Sequence, residues 1–296
     1  MSRFLRAYGK YLIIILFAIV LINILNAFVI NTSLIVLLYL YFVAIVFFVI
    51  HMYATQGFYI KKGTLNSEYG NIEIVDCVFL NYRKNFREMR VDGVSGAYSK
   101  INLKAPEKLQ FYQYCEDVVN FLFANSCERI LVLGGGGCGV PIFLATKYRE
   151  CTVEVVEISP EVIKASIEYF IKSNYYQNNI AFINEDALNY VQSTSQKYEF
   201  VFCDLFIGDK IPSFVFTKAF IKNLYNLLLN NGAIVVNMGN ARKNNICSFI
   251  EVCKTLSIKA NIYTHHNSIV LIMHKNKLLD DKQIYSDWIC QIFQLN

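Results

Sequence analysis

The chain has 296 residues and a formal net charge of +5, with 55% hydrophobic and only 17% charged residues. The excess charge is local, because five of the 28 basic residues lie within positions 1–62 and the remaining 23 balance the 23 acidic residues. The rest of the chain is therefore nearly neutral, nothing in this balance indicates nucleic-acid binding, and no nucleic-acid partner is predicted.

Two uncharged apolar runs, Tyr11–Ile30 and Leu34–Ile50, lie near the start of the chain and are separated only by a polar turn at 31–33. Crossing a bilayer takes roughly 20 apolar residues, and a second run directly after the first disfavours a cleaved signal peptide. Basic residues flank both ends of the pair but not the turn, so both ends are expected on the cytoplasmic side. Residues 1–62 are thus predicted to form a membrane hairpin, with helices at about 11–30 and 34–50. The prediction is a two-pass protein of the inner or plasma membrane whose remaining chain is cytoplasmic.

The nine cysteines contain no C-x-x-C pair, and several of them, such as Cys151 and Cys203, lie in or beside apolar runs typical of strands. His265 and His266 are adjacent, which is a poor spacing for two ligands of one ion. Reduced, buried thiols explain the cysteines, and no metal site is predicted.

The rest of the chain divides into two predicted domains, and a regular alternation of strands and helices begins at Arg129 within the second. Residues 63–105 contain two strand-like segments, Gly70–Leu80 and Phe86–Gly93, and predict a small β domain. Residues 106–296 begin with a predicted helix, Pro106–Ala124, and continue with alternating strands and helices. This alternation is typical of a parallel sheet covered by helices on both faces, so the predicted fold class is α/β with a Rossmann-like sheet.

The predicted strands of that sheet are Ile130–Leu133, Val153–Ile158, Ile180–Asn184, Phe200–Asp204 and Ala233–Asn237. The predicted helices are Pro141–Tyr148, Pro160–Ser173, Ala187–Ser193, Phe214–Leu229 and Ile246–Leu256. An antiparallel pair at the sheet edge, Asn261–Tyr263 with Ile269–His274, and a last helix, Gln283–Phe293, complete the prediction.

Glycines or acidic residues close four successive strands, at the edge where open α/β sheets bind ligands. The first strand ends in Gly134, Gly136 and Gly139, a G-x-G-x-x-G spacing that lets a ligand approach the backbone at a helix N-terminus. Glu157 ends the second strand, 23 residues after Gly134, where a carboxylate accepts hydrogen bonds from ribose hydroxyls. The pattern predicts an adenosine-containing ligand. The alternative is that the glycines serve only close packing of helix and strand.

Asp186 and Asp204 follow the third and fourth strands, with Asp209 close behind. Asp186 has a second interpretation as the N-cap of the next helix, and Glu157 has one as a solvated carboxylate at a helix N-terminus. Asp204 directly follows the apolar run YEFVFC, where a charge needs a function or a partner. Acids at neighbouring strand ends would repel a pyrophosphate. They therefore favour a cationic sulfonium donor or an amine over a nicotinamide dinucleotide.

Several stretches between Glu68 and Met238 resemble, in the same order, motifs of the spermidine synthases and related polyamine synthase-like proteins. That family is built on the class I S-adenosylmethionine-dependent methyltransferase fold. VLGGGGCG resembles its glycine loop G-G-G-D-G-G, and VEISPEVI resembles V-E-I-D-x-x-V-I. INEDALNYV resembles the G-D-G/A segment, and YEFVFCDLF resembles Y-D-x-I-x-x-D. YGNIEIVD, MRVDGV and FYQYCEDVV resemble the β-hairpin domain with its L-D-G turn and the Y-Q/H-E-M helix.

The resemblance implies transfer of an aminopropyl group from decarboxylated S-adenosylmethionine to an amine acceptor such as putrescine, without a metal. It implies that Asp204 is catalytic, with Asp209 as a second acid, and that Glu157 holds the ribose and Asp186 the adenine of the donor. The expected assembly, if the chain oligomerises, is a homodimer. The donor-binding residues that it implies are Gly134, Gly136, Gly139, Glu157 and Asp186, and the substrate-binding residues are Tyr112 and Gln113.

Two departures from the family pattern keep other functions open. Gly137 and Cys138 stand where the family has aspartate and glycine, and that aspartate helps to hold the terminal amino group of the donor. The family's D-S-S-D-P becomes Asp204-Leu-Phe-Ile-Gly-Asp209, so the second acid comes later. The alternatives are an S-adenosylmethionine-dependent methyltransferase acting on another acceptor and a non-catalytic, membrane-anchored nucleoside-binding module.

Overall fold

The computed structural model describes residues 19, 22–23, 34–55, 57–94, 97–106, 108, 127–171, 179–239, 241, 243–265 and 268–275. The chain divides into two compact units, Met1–Gln56 and Gly57–Asn296. All strands of the described ranges belong to the second unit.

The described part of the first unit is mainly helix α1, Leu34–Thr55. It contains the second predicted helix, about 34–50, whereas most of the first, about 11–30, lies outside the described residues. Across the described ranges, no helix combines the length and the apolar character needed to cross a bilayer. The predicted hairpin requires two such helices, so this finding overturns the prediction of two transmembrane helices and of a two-pass location in the inner or plasma membrane. The predicted cytoplasmic side loses its basis as well, because the positive-inside rule orients only chains that cross the membrane.

The second unit begins with a four-stranded antiparallel sheet whose strands follow one another in chain order. Two of these strands were predicted and the two outer ones were not. A bidentate ion pair between Arg87 and Asp76, with N–O distances of 2.6 and 2.9 Å, joins neighbouring strands of the sheet. The strands are β1 Phe58–Leu65, β2 Ile72–Val78, β3 Phe86–Val91 and β4 Ser99–Asn102, with a 3-10 turn at Tyr82–Lys84 between β2 and β3.

A seven-stranded mixed sheet follows, built from β5 Arg129–Leu133, β6 Thr152–Glu157, β7 Ile180–Asn184, β8 Tyr198–Cys203, β9 Leu228–Gly239, β10 Ala260–His265 and β11 Ser268–His274. Its strand order is β10-β11-β9-β8-β5-β6-β7. Strands β5 to β9 pair in parallel, and β11 and β10 add the predicted antiparallel pair at one edge. Strand β5 lies between β6 and β8: after β5 the chain builds β6 and β7 on one side of it and then crosses to the other side to form β8 and β9. This is the switch point at which open α/β sheets bind ligands.

The helices are α2 Gly139–Lys147, α3 Pro160–Ala165 (which continues as a π-helix over Ser166–Ile171), α4 Ala187–Ser193, α5 Lys218–Asn226 and α6 Lys243–Thr255, with a 3-10 turn at Ser213–Phe216.

The predicted helix Phe214–Leu229 is divided in the structure. Thr217 ends the 3-10 turn and caps α5, since its hydroxyl accepts a hydrogen bond from the Phe220 amide at 3.3 Å. Strand β9 already begins at Leu228. The predicted helices Pro106–Ala124 and Gln283–Phe293 lie outside the described residues, apart from residues 106 and 108.

One of the hydrophobic cores lies between the small sheet and the helices α2 and α3 of the α/β part. Full burial of each of its larger side chains contributes about 1.5–3 kcal/mol, so this core fixes the small sheet against the start of α2. From the small sheet the core takes Ile72, Ile74, Met89, Val91 and Ile101, and from the α/β part Cys138, Ile142, Val162, Ala165, Phe170 and Ile171.

Candidate active site

Strand β5 continues into a glycine loop that approaches the end of β8. Gly134 has φ +88°, and its N–H donates a hydrogen bond to the Val156 carbonyl at 2.9 Å. A Cβ atom at Gly134 would lie 2.2 Å from the carbonyl oxygen of Asp204. Glycine is therefore required at this position both by the backbone conformation and by the approach of Asp204.

We expect Gly134→Ala to lower the free energy of unfolding by about 2–4 kcal/mol, because it adds a steric clash to left-handed backbone strain. Gly93→Ala is the matched control, since Gly93 has φ +81° but its Cβ would meet no atom within 4 Å. Strain alone should cost this control about 1–2 kcal/mol. Urea denaturation measures both variants. Equal losses would contradict the tight approach of Asp204 to the loop.

Cys138 is the N-cap residue of helix α2, directly before Gly139, and its φ is +62°. Its side chain is completely buried in the core between the small sheet and the helices α2 and α3. Burial raises the pKa of this thiol to about 12, so it stays protonated and chemically inert at neutral pH. The cysteine that departs from the family loop is thus a packing residue.

Glu157 ends β6, as predicted, and its carboxylate holds the glycine loop. Its Oε2 accepts hydrogen bonds from the amides of Gly135 at 3.1 Å and Gly136 at 3.4 Å, and its Oε1 accepts one from Ser159 at 3.1 Å. The side chain is buried, and this burial raises the pKa of Glu157, while the hydrogen bonds from the backbone amides act in the opposite direction. The carboxylate is therefore a fixed part of the loop rather than a solvated surface charge.

Asp186 is the N-cap of α4, which confirms the capping interpretation of this residue. Its Oδ1 accepts hydrogen bonds from the amides of Leu188 at 2.8 Å and Asn189 at 3.1 Å. Both bonds use the same oxygen, so Oδ2 accepts none from the described residues. Asn184, at the end of β7, donates to the carbonyl of Glu157 at 3.0 Å and so ties the two strand ends together.

Asp204 follows β8, and its carboxylate is held by a side chain from the next strand. Asn237, near the end of β9, donates from Nδ2 to Oδ1 of Asp204 at 2.7 Å, and its own oxygen accepts from the Gly239 amide at 2.8 Å. Asp209 lies in a tight turn closed by two hydrogen bonds between Ile207 and Lys210. Asp209 is exposed, whereas Asp204 is half-buried.

Two adjoining cavities bring most of the predicted site residues together. Cavity A, of about 380 Å³, is lined by Glu157, Asp186 and Asp204 together with apolar side chains such as Ile158 and Phe214. Cavity B, of about 400 Å³, lies along the glycine loop and is lined by Ser99, Gly136, Gly139, Asp204, Asp209 and Asn237. The two cavities share Val94, Tyr98, Gly134, Asp204, Phe206 and Gly208.

All charged residues that line these cavities in the described part of the chain are acidic. Glu68, Glu157, Glu185 and Asp186 line cavity A, Asp209 lines cavity B, and Asp204 lines both. No lysine, arginine or histidine is among the described lining residues. A cationic ligand is therefore favoured over an anionic one, as the sequence predicted.

Asn237, Tyr98 and Ser99 are among the lining residues that were missed from the sequence, and two predicted residues cannot be placed. Asn237 ends the predicted strand Ala233–Asn237, so the strand-end criterion that selected Asp204 would also have found it. Tyr98 and Ser99 come from the small sheet, and nothing in their local sequence connects them to the glycine loop. Tyr112 and Gln113 lie outside the described residues.

Residues 112–272 match the sequence model of the spermine/spermidine synthase domain. A polyamine aminopropyltransferase of Vibrio vulnificus is 34% identical over 131 residues, which cover 43% of this chain and 42% of the relative. An N-terminal histidine N-methyltransferase of Emericella nidulans is 32% identical over 119 residues, covering 38% and 20% of the two chains. The chain thus spans less than half the length of either relative. Among solved structures, a probable spermidine synthase of Corynebacterium glutamicum has the same fold, with a TM-score of 0.59 and 23% identity over 73% of this chain and 81% of that one.

Proposed function

Because the chain belongs to the spermine/spermidine synthase family, we propose that it is a polyamine aminopropyltransferase. The proposed reaction moves the aminopropyl group of decarboxylated S-adenosylmethionine to an amine acceptor such as putrescine. The observation that carries the proposal is the set of six carboxylates around the joined cavities, without a described basic residue among them. This charge favours a sulfonium cation with an ammonium tail. It disfavours a dinucleotide, and it disfavours a donor that carries a carboxylate on its tail.

The nucleoside of the donor is assigned to cavity A. Glu157 lines this cavity with its carboxylate held by the backbone amides of the glycine loop and of Ser159, and we assign it to the ribose hydroxyls. The open Oδ2 of Asp186 is available to the adenine amino group. The apolar side chains Ile158 and Phe214 supply walls for the flat base.

The reaction centre is assigned to the junction of the two cavities, beside Gly134 and Asp204. The acceptor nitrogen attacks the carbon of the aminopropyl arm that is bound to sulfur, a new C–N bond forms, and the bond between that carbon and sulfur breaks. Methylthioadenosine then leaves with the electron pair of that bond on its sulfur. An alkylamine has a pKa of about 10 and is mostly protonated at neutral pH, so it needs a base. We assign this role to Asp204, which Asn237 holds in one orientation, with Asp209 near the far end of the acceptor.

Titration calorimetry of the full chain with three ligands tests the donor. Decarboxylated S-adenosylmethionine should bind at least about tenfold more tightly than S-adenosylmethionine, because one unfavourable charge costs on the order of 1.4 kcal/mol near a set of acids. Methylthioadenosine, which lacks the aminopropyl arm, reports binding of the nucleoside alone. Addition of putrescine to the complex with the decarboxylated donor should then yield methylthioadenosine and spermidine.

Two results of this titration would contradict the proposed aminopropyl transfer and favour another function. Tighter binding of S-adenosylmethionine itself would favour a methyltransferase, the alternative supported by the methyltransferase relative and by the missing acid at Gly137. Binding of methylthioadenosine without any turnover of either donor would favour a nucleoside-binding module.

A further inference from the structure

Ser99, the first residue of β4, places a hydroxyl group at the edge of cavity B. The residue is 5% exposed, and its hydroxyl makes no hydrogen bond with any described group. Its oxygen is not one of the enclosed side-chain atoms that lack a partner, so the hydroxyl is open to the space of cavity B. Ser99 lines a cavity, so a bound ligand is the natural partner for this group.

The neighbours of Ser99 are the glycines of the loop. A Cβ atom built on Gly137 would lie 2.9 Å from the Ser99 hydroxyl oxygen and 2.7 Å from its Cβ. A Cβ on Gly139 would lie 3.6 Å from the same oxygen. Ser99 therefore fills the space that a side chain at position 137 would occupy, and Gly137 itself lines neither cavity.

The path of the donor leads from cavity A toward this hydroxyl. Gly134 and Tyr98 line both cavities, and Gly135, Gly136 and Ser99 continue along the wall of cavity B. A sulfonium centre at Gly134 thus directs one substituent along the loop. The acids of cavity B, Asp204 and Asp209, approach it from the other wall and keep the region attractive to a positive charge.

We propose that Ser99 is a specificity-determining residue whose hydroxyl oxygen accepts a hydrogen bond from the terminal ammonium of the donor's aminopropyl arm. The inference rests on the proposed function. It assigns the arm to a neutral acceptor supplied by the small sheet rather than to a carboxylate on the glycine loop. Ser99 then contributes to binding of the whole donor but not to binding of its nucleoside.

Ser99→Ala removes the hydroxyl and keeps the Cβ atom that packs on the loop. Calorimetry should show affinity for decarboxylated S-adenosylmethionine reduced about tenfold, the usual loss for one hydrogen bond to a charged group. Affinity for methylthioadenosine should stay within about twofold of the wild-type value, because this ligand has no arm. Thermal unfolding of the variant serves as the control for folding.

A second pair of variants tests the shared space. Gly137→Asp alone should unfold at lower temperature, because its side chain collides with Ser99. Adding Ser99→Gly should restore the unfolding temperature. The resulting carboxylate should also raise the preference for the decarboxylated donor over S-adenosylmethionine by about tenfold.

The outcomes separate the two proposals. A wild-type chain that binds neither donor nor methylthioadenosine overturns the proposed function and this inference with it. A wild-type chain that binds the decarboxylated donor supports the proposed function. The inference alone is then overturned if Ser99→Ala binds that donor equally well, or loses affinity for methylthioadenosine to the same extent.

Discussion

Replacement of Asp204 by asparagine should lower kcat about 10²–10⁴-fold while methylthioadenosine still binds with its wild-type affinity. Asparagine keeps the shape of the side chain, and its amide oxygen still accepts the hydrogen bond from Asn237, which is 2.7 Å long in the structure. What is lost is the base that accepts the proton of the attacking amine. Steady-state turnover with the decarboxylated donor and putrescine, together with calorimetry, measures both quantities.

Asp209→Asn is the matched control for this experiment. Asp209 lies in the exposed turn between Ile207 and Lys210 and lines only cavity B, so its loss should raise KM for the amine more than it lowers kcat. A wild-type kcat for Asp204→Asn would remove Asp204 from the mechanism. If instead the Asp209 variant alone loses kcat, the two acids have to exchange the roles assigned to them.

Replacement of Glu157 by glutamine should weaken methylthioadenosine binding about 100-fold and also destabilise the fold, because hydrogen bonds to a charged acceptor contribute about 1.5–3 kcal/mol each. In the variant, an NH₂ group replaces one carboxylate oxygen and has to face either the amides of Gly135 and Gly136 or that of Ser159. Donors then face donors, and the loop that supports the nucleoside loses its shape. Calorimetry with methylthioadenosine measures the effect.

Glu154→Gln is the control, because Glu154 lies three residues earlier on the same strand but lines neither cavity. Its carboxylate accepts a hydrogen bond from the Tyr198 hydroxyl at 2.6 Å, so this variant should also lose stability. It should retain its affinity for methylthioadenosine. A similar loss of affinity in both variants would mean that general destabilisation, and not the loop, explains the result for Glu157.

The effect of Glu157 on stability should depend on pH in a defined direction. Burial raises the pKa of this carboxyl group above 4.5. At pH values between 4.5 and the folded-state pKa, the folded protein therefore keeps a proton on Glu157 that the unfolded chain has lost. This contribution to the free energy of unfolding is present at low pH and is lost as the pH rises through the folded-state pKa. The stability difference between wild type and Glu157→Gln should therefore fall on going from pH 4 to pH 8, as measured by urea denaturation. A rising difference would contradict a raised pKa.

Local patterns predicted the α/β sheet well because its strands are buried runs that end at turn residues. The predicted strand Ile180–Asn184 coincides with β7, and Ile130–Leu133 and Phe200–Asp204 differ from β5 and β8 by one or two residues. The capping function of Asp186 was equally local. By contrast, helical spacing over Phe214–Leu229 did not reveal that Thr217 interrupts the helix and that β9 starts at Leu228.

The parts of the site that could not be predicted depend on contacts between distant segments. The sequence placed Glu157 beside a ribose but gave no sign that amides 21 and 22 residues earlier would occupy most of its carboxylate. Ser99 reaches the glycine loop only because the small sheet packs on it. The predicted membrane hairpin was wrong for another reason, since no helix of the described ranges is long and apolar enough to cross a bilayer.

The core between the small sheet and the α/β part limits how recombination can divide the gene of such a protein. A recombination event that delivered only the seven-stranded part would leave Ile142, Val162 and Phe170 facing water and would remove the wall that carries Ser99. Each half would need compensating surface changes before it could persist alone. Selection should therefore keep the segment from the first small-sheet strand to the last edge strand together as a single heritable block, with insertions tolerated only outside it or in its exposed turns.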